Sequence, residues 1–258
     1  MPTNLSKPVS SRLAPASEGS VDKFIKTVRK RFAFSEAEEK MLVAHMHGST
    51  EFKAGDLLVD QGKSITYSSL LYAGYACRVK TNAEGGRQII EIQIPGDFID
   101  LHSYPLERLD HTIVALTDCK IAKLYHDQID DLIDKNPRFA RILWFSTMVD
   151  ASTHREWILN LGSRKGAARL AHLFCEMYCR MNLVGLVQGN LFDLPITQVE
   201  LGDAIGFTPV HTHRVLQELQ GAELVEFKNK RVKIYNFDRL AEFCGFEDGY
   251  LYLSRRKG

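Results

Sequence analysis

The spacing of hydrophobic positions divides this 258-residue chain into three parts. Apolar residues recur at helical spacing over residues 21–47, which predicts helix there. Between residues 50 and 125, short alternating apolar runs are separated by glycines, a pattern typical of an antiparallel sandwich or barrel. Helical spacing then returns in a short helix over 127–133, a long helix over 137–161 and a further helix over 164–183.

Residues 197–220 predict two short helices joined by a tight turn. Thr197 and Glu200 have the spacing of a capping box, and Gly206 can end the first helix in a left-handed conformation. Thr208 is expected to cap the second helix, with Pro209 at its first position. The predicted apolar faces of the two helices are Val199, Leu201, Ala204 and Ile205, then Val215, Leu216 and Leu219.

The second helix exposes hydrogen-bonding and cationic side chains in its first turns, at His211, His213 and Arg214. Such a helix is suited to the DNA major groove. Two amphipathic helices around a glycine also occur in many other folds. The two histidines could suggest a metal site, but on a helix they point roughly 200° apart. We therefore expect no metal there.

A hairpin with a basic tip is predicted directly after these helices. The β-rich runs 224–227 and 231–235 flank Lys228, Asn229 and Lys230. The net charge of the chain is only +1, so contact with nucleic acid requires a local basic patch such as this one. The alternative is a solvated charge run. Helices and hairpin together predict a winged helix-turn-helix.

The cysteines and the apolar runs limit the other possibilities. No apolar run approaches the ~20 residues that span a bilayer, and the N-terminus lacks an apolar leader, so we expect a cytoplasmic protein without membrane contact. The five scattered cysteines are expected to be reduced and mostly buried. Cys175 and Cys179 could bind a metal or form a redox pair. The apolar residues around them favour a packed helix instead.

The order of elements resembles the Crp/Fnr family of bacterial transcription regulators, over nearly everything after residue 21. The DNA-binding half matches best, with residues 164–171 similar to the helix that opens that domain. The motifs that carry the resemblance in the first half are Lys53-Ala54-Gly55-Asp56, Gln61-Gly62, Gly85-Gly86-Arg87-Gln88-Ile89, Pro95-Gly96-Asp97-Phe98-Ile99 and Ala115-Leu116-Thr117-Asp118-Cys119.

The resemblance implies an α+β fold with four parts. Residues 1–20 are rich in serine and proline and are expected to be a disordered tail. Residues 21–134 are expected to form a sensory, cyclic-nucleotide-binding-like antiparallel β-roll or jelly-roll barrel. Residues 135–163 are the expected dimerisation helix with a hinge at Gly162. Residues 164–258 are the expected winged helix-turn-helix.

The resemblance also implies a homodimer that binds palindromic double-stranded DNA and contacts RNA polymerase. The candidate dimer seam on the long helix, whose alternative is packing against its own barrel, is Phe139, Ile142, Leu143, Phe145, Met148, Val149 and Ile158. Base contacts are expected from Pro209, Val210, His211, His213 and Arg214, and backbone contacts from Thr197, Thr208, Gln217, Lys228, Lys230 and Arg231. Many relatives carry Glu where Val210 stands. A valine can contact a thymine methyl but cannot accept from cytosine, so the operator is expected to differ.

The effector is not defined by the sequence. Cyclic-AMP-binding relatives have a Gly-Glu pair after the PGDFI-like stretch and a later Arg, whereas this chain has Asp100 and Leu101, and Leu109 at the Arg position. The candidates for a ligand pocket are Phe98, Ile99, Asp100, Leu101 and Arg108. Binding of cyclic AMP in the usual way is not expected, because an acid would repel the phosphodiester.

Other cofactors and activities are also weighed against the sequence. Residues 1–76 contain no cysteine, which argues against an iron–sulfur cluster. A cyclic-nucleotide- or haem-responsive regulator with the same DNA-binding output stays an alternative, and His102, His111, Tyr104 and Tyr125 are the candidate haem ligands. No cofactor is predicted and the ligand is unknown. No nucleophile elbow or phosphate-binding loop is present, so no catalytic residues and no enzyme are expected.

Overall fold

A computed structural model of the protein describes residues 21–253. The predicted tail over residues 1–20 lies outside the described residues, as do residues 254–258. Two helices open the described chain, α1 over Asp22–Arg31 and α2 over Glu36–His45. Ser35 and Glu38 form a reciprocal capping box at the start of α2. The helical region is shorter than predicted, because a strand begins at Met46.

Seven strands form two antiparallel sheets that together make a β-roll. The strands are β1 (Met46–Phe52), β2 (Leu57–Val59), β3 (Tyr67–Ala73), β4 (Ala76–Thr81), β5 (Arg87–Gln93), β6 (Thr112–Ala115) and β7 (Cys119–Tyr125). One sheet has the order β1-β7-β3 and the other β2-β6-β4-β5. The sequence pattern missed the first half of β1, where polar residues and a glycine at 48 obscure the alternation.

Of the next four helices, the short first one was not predicted from the sequence, and the other three follow the predicted bounds closely. A short helix, α3 (Ser103–Leu106), crosses between β5 and β6. The strands are followed by α4 (His126–Lys135) and the long α5 (Arg138–Gly162), and the next helix, α6 (Gly166–Leu183), begins two residues later than predicted. Of the candidate seam on α5, Phe139, Ile142 and Leu143 pack into the core of the same chain. Their assignment to a dimer seam is therefore wrong.

The C-terminal part contains a third antiparallel sheet and three more α-helices. The elements are β8 (Val187–Gln188), β9 (Leu191–Asp193), α7 (Gln198–Ile205), α8 (Pro209–Gly221), β10 (Val225–Lys228), β11 (Arg231–Ile234), α9 (Phe237–Cys244) and a 3-10 turn over Asp248–Leu251. The sheet order is β10-β11-β9-β8. The predicted hairpin is confirmed, whereas β8 and β9 are too short for a sequence pattern to reveal.

One hydrophobic core joins the two halves of the molecule. It contains Ile89 and Ile92 of β5 together with Phe174 of α6 and Leu201 of α7. Polar contacts accompany this packing: Arg87 pairs with Asp203 at 3.1 Å. The helix-turn-helix is thereby seated on the β4–β5 face of the roll.

Candidate nucleic-acid interface

The chemistry at the helix ends fixes the geometry of α7 and α8. The Thr197 hydroxyl accepts from the Glu200 N–H at 3.1 Å, and the Glu200 carboxylate accepts from the Thr197 N–H at 2.7 Å. Gly206 ends α7 with φ +70°, where a side chain would be strained. Thr208 accepts from the His211 N–H at 3.3 Å and starts α8. Both predicted caps and the turn glycine are confirmed.

A close contact between α7 and the turn depends on Gly202, which the sequence reading did not single out. A Cβ at this position would lie 2.5 Å from the Phe207 carbonyl oxygen. Phe207 also donates its N–H to the Gly202 carbonyl at 3.0 Å. Thr212 is fully buried beside it and donates its hydroxyl to the Thr208 carbonyl at 3.0 Å. Only a residue without a side chain fits this crossing of the two helices.

The predicted base-contacting residues lie on the open face of α8. Val210 is 82% exposed, and Pro209, His213 and Arg214 are exposed as well. His211 is half-buried because its ring stacks on Phe207. Spacings of three and four residues place Val210, His213, Arg214 and Gln217 along one stripe of the helix, with Pro209 and His211 at its two edges. This stripe is the surface that α8 can present to a groove.

Contacts within the stripe pair its polar side chains. Arg214 Nη2 lies 3.1 Å from His211 Nε2, and Gln217 Nε2 lies 3.2 Å from His213 Nε2. Arg214 has an imidazole neighbour rather than a carboxylate partner in these contacts. Its charge is therefore available to an acceptor on a base or a phosphate.

The hairpin of β10 and β11 turns at an exposed basic tip. Asn229 and Lys230 have positive φ of 53° and 59°, which closes a two-residue turn. Lys228 and Lys230 project at the tip, both exposed. Arg231 donates to Asp193 at 2.7 Å, so part of its charge is already balanced. The two lysines are thus the stronger candidates for phosphate contact.

One sequence-based assignment on α7 is wrong in the structure. Val199 is 53% exposed and does not belong to the apolar face of α7, which Leu201, Ala204 and Ile205 form. The position next to the capping residues points outward, because the three buried residues occupy the opposite side of the first two turns.

None of the suggested ligand-pocket residues lines the cavity between the roll and α5. Phe98 and Leu101 line a small cavity of about 60 Å³ beside α1. Phe98, Ile99 and Leu101 are buried in the roll cores, and Arg108 is exposed. Asp100 is fully buried, where its carboxylate accepts from the Ser69 N–H and, at 2.8 Å, from the Ser69 hydroxyl. Burial, opposed by these hydrogen bonds, raises the pKa of Asp100 to about 7. The motif therefore supplies core residues and a structural carboxylate.

A cavity of about 620 Å³ lies between the roll and α5. Its wall includes Arg78, His102, Leu106, His111, Met148, His154, Trp157 and Ile158. The rings of His102 and His111 are 5.2 Å apart. Burial and the nearby Arg78 charge lower the pKa of His102 to about 3, and burial also lowers the pKa of His111. Both imidazoles are therefore neutral at pH 7.

The Arg78 guanidinium at this cavity is already committed to protein acceptors. It donates to Glu91 at 2.5 Å, to Asp150 at 2.9 Å and to the Ile99 carbonyl at 3.0 Å. Of the haem candidates, Tyr104 donates to Asp130, and Tyr125 packs against His47 and Tyr67. Neither tyrosine lines the cavity. The wall thus combines apolar side chains and the neutral His102 and His111 with charged groups that are paired within the protein, among them Arg78 with Asp150.

Within residues 21–253 no cluster of three or more His, Cys, Asp or Glu side chains is arranged to hold a metal ion. Over the same range no helix is long and apolar enough to cross a membrane. The five cysteines are free thiols, four of them buried. Cys175 lies on α6 with its Sγ 4.0 Å from that of Cys244 on α9, not beside Cys179 as a pair.

Comparison with known proteins gives two family matches. Residues 168–243 match the Crp-like helix-turn-helix domain, and residues 49–136 match the cyclic nucleotide-binding domain. The two regions coincide with the DNA-binding elements and the β-roll described above. Together they define a winged-helix DNA-binding protein with an attached roll of the cyclic-nucleotide-binding type.

Similar proteins cover most of the chain. The transcriptional activator FnrL of Cereibacter sphaeroides is 24% identical over 214 residues, 81% of this chain and 86% of that protein. The fumarate and nitrate reduction regulatory protein of Shigella dysenteriae is 26% identical over 201 residues, 77% of this chain and 76% of that protein. The structure of FixK2 from Bradyrhizobium japonicum shares the fold with a TM-score of 0.69 and 21% identity, over 76% of this chain and 96% of that one.

The chain belongs to the Crp/Fnr family of transcription regulators. It is a DNA-binding transcription regulator with an N-terminal antiparallel β-roll, a long connecting helix and a C-terminal winged helix-turn-helix.

Proposed function

We propose that the protein binds palindromic operators as a homodimer, with α8 of each subunit in the major groove of one half-site. The observation that carries this proposal is the exposed stripe on α8 from Pro209 to Gln217, in which Arg214 contacts the His211 imidazole at 3.1 Å. Two such helices about one DNA turn apart read a two-fold symmetric site and combine their affinities. The proposal assigns the chain no catalytic step.

The proposed dimer surface is an apolar stripe on α5 that the rest of the described chain leaves uncovered. Trp144 is 68% exposed, Met148 49% and Ile158 70%. Trp144, Met148, Ala151 and Ile158, with the charged Arg155 between the last two, follow the alternating four- and three-residue spacing of a coiled-coil seam. A second copy of α5 would cover this stripe. The division into a sensory part over 21–134, a dimerisation helix over 135–163 and a DNA-binding part over 164–258 belongs to the same proposal.

Within a half-site, each exposed side chain has a distinct proposed role. Arg214 bonds guanine O6 and N7 together, and Val210 contacts a thymine methyl. Pro209, His211 and His213 border the same bases. Thr197, Thr208, Gln217, Lys228, Lys230 and Arg231 contact the DNA backbone, which fixes the register without reading sequence.

The cavity at α5 is the proposed effector site. The Arg78 guanidinium in its wall is already hydrogen-bonded to Glu91 and Asp150, which opposes binding of a cyclic phosphate there. The neutral His102 and His111 and the apolar side chains of the wall, with Arg78 and Asp150 already paired, suit a small molecule without net charge instead. We further propose that the protein acts in the cytoplasm and contacts RNA polymerase when bound to DNA.

Selection of bound duplexes from a random-sequence library tests this function. The expected result is an inverted repeat whose half-sites lie one helical turn apart, bound by two subunits. Recovery of unrelated sequences, or of a single half-site bound by one subunit, contradicts the proposal. Mapping of bound sites in the genome then supplies the target genes.

A further inference from the structure

We infer that Arg180 of α6 couples the cavity at α5 to the DNA-binding part of the chain. The inference rests on the proposed regulatory function and adds a physical route to it. Three residues of the cavity wall, Arg78, His154 and Trp157, also contact two buried carboxylates outside the cavity. Both carboxylates, Glu91 and Glu176, face the Arg180 guanidinium.

The first route runs through Glu91 of β5. Its Oε2 lies 2.5 Å from Arg78 Nη1 and 3.1 Å from His154 Nε2, both at the cavity. Its Oε1 faces Arg180 Nη2 at 3.9 Å. Glu91 is 2% exposed, so these charges interact with little screening by water. One carboxylate thus has one oxygen toward the cavity and the other toward α6.

The second route runs through Glu176 of α6 itself. The Trp157 indole N–H lies 3.1 Å from both Glu176 oxygens. Tyr250, near the C-terminal end of the described chain, donates its hydroxyl to the same carboxylate at 2.8 Å. Arg180 Nη1 donates to Glu176 Oε1 at 3.3 Å. The two routes start at different parts of the cavity wall and meet on one guanidinium.

Arg180 also holds the roll directly, by donating to Asp97 at 2.8 Å. This contact is a full hydrogen bond, whereas the 3.9 Å separation from Glu91 is too long for one. The Arg180 guanidinium therefore faces two carboxylates of the roll: it is hydrogen-bonded to Asp97 and lies beyond hydrogen-bonding distance of Glu91. Because Glu91 contacts both His154 and Arg78, a small movement of either side chain would move the Glu91 carboxylate. The distance between Glu91 and Arg180 would then change, and with it the choice of Arg180 between Glu91 and Asp97. Such an exchange between two discrete arrangements is what coupling between sites requires.

A change at Arg180 can affect DNA binding because α6 packs against the two helices of the helix-turn-helix. Helix α6 packs in one core with α7 and α8, and that core includes the β5 residues next to Glu91. Gln88 of the same strand donates to the Ala204 carbonyl of α7 at 3.4 Å. A shift at Arg180 therefore alters how the helix-turn-helix is seated on the roll. In a dimer this seating sets the distance between the two recognition helices.

Hydrogen exchange of the full chain without DNA tests the inference. His154→Gln changes the first route and Trp157→Phe removes the indole N–H of the second. Both are expected to raise exchange roughly fivefold in peptides of α6 and α7, as a local loss of stability does. Arg180→Lys keeps the charge but loses the planar fork, and should produce the same change. Glu51→Gln is the matched control, because Glu51 pairs with Lys120 in the roll, away from Arg180.

Double variants show whether His154 acts on α6 and α7 through Arg180 or independently of it. If it acts through Arg180, His154→Gln adds no further hydrogen exchange in the Arg180→Lys background. Fully additive effects, or single variants with wild-type exchange in α6 and α7, overturn the inference. Trp157→Phe and Arg180→Lys keep the test valid if His154→Gln fails to fold. The hydrogen-exchange experiment contains no DNA, so a negative result there does not bear on the proposed operator binding. A negative operator selection, in turn, does not bear on the coupling through Arg180.

Discussion

The imidazole of His211 lies flat on the ring of Phe207, with ring centroids 4.0 Å apart and an angle of 4° between the planes. The Arg169 guanidinium also lies over the Phe207 ring, 4.7 Å from its centroid. His211 in turn lies 3.1 Å from Arg214 on the exposed stripe. The turn of the helix-turn-helix thus supports the side chain that is proposed to read guanine.

Phe207→Leu is expected to weaken specific operator binding by about tenfold, because His211 loses its stacking partner and Arg214 its fixed neighbour. Binding to a scrambled duplex should change by less than about twofold, since phosphate contacts do not depend on this stack. Fluorescence anisotropy with both duplexes measures the two affinities. Phe243→Leu, at an exposed phenylalanine of α9, is the control. An equal loss on both duplexes contradicts the proposed role of the stack.

The helix ends were predictable because capping depends on residues that are adjacent in sequence. Thr197, Glu200, Gly206 and Thr208 carry their own local chemistry, and each occupies its expected place. Gly202 was not predictable in the same way. Its importance arises from the approach of the Phe207 carbonyl, which only the crossing of two helices creates. The stacked orientation of His211 likewise depends on a ring outside α8.

Gly202→Ala should destabilise the DNA-binding part by about 1–3 kcal/mol, because the added methyl would lie 2.5 Å from a backbone oxygen. Urea unfolding followed by circular dichroism measures this change. Gly221→Ala is a matched control in the last turn of α8, where a Cβ meets nothing within 4 Å. Equal stability of the two variants would show that the helices can move apart without cost.

Trp144→Glu is expected to dissociate the dimer, because it places a charge in the proposed seam. Trp144 is 68% exposed in the single chain, so the fold itself should tolerate the change. Sedimentation velocity at micromolar concentration should show a monomer. Leu57→Glu, at a residue of the roll that is 55% exposed, should remain a dimer. A dimer in both variants would place the interface elsewhere.

Asp100→Asn should change the pH dependence of stability. The folded protein holds a proton on Asp100 up to about pH 7, whereas the unfolded chain releases it near the ordinary value of 3.8. The folded state therefore binds more protons between these values, and Asp100 makes stability fall as pH rises through this window. From pH 5 to pH 7 wild type should lose about 2 kcal/mol that the variant retains. Urea unfolding at both values measures it. Parallel losses in the two proteins contradict the buried, protonated state.

The sensory half was less predictable than the DNA-binding half for a physical reason. Short motifs identified where the strands run, but not which way their side chains point. Asp100 follows a familiar motif, yet its carboxylate turns inward to Ser69. The Arg78–Glu91 pair joins neighbouring strands through a register that includes a bulge. No spacing in the sequence shows that these two charges share a buried site with α6.

Arg214 is proposed to read a base in each half-site of a palindromic operator. The most direct measurement is footprinting of the selected operator by Arg214→Ala, with sedimentation to verify the dimer. We predict a loss of about 1–3 kcal/mol per half-site in specific binding and relaxed selectivity at one base pair, with an intact dimer. Normal protection of the operator by the variant, with unchanged base preference, contradicts the account.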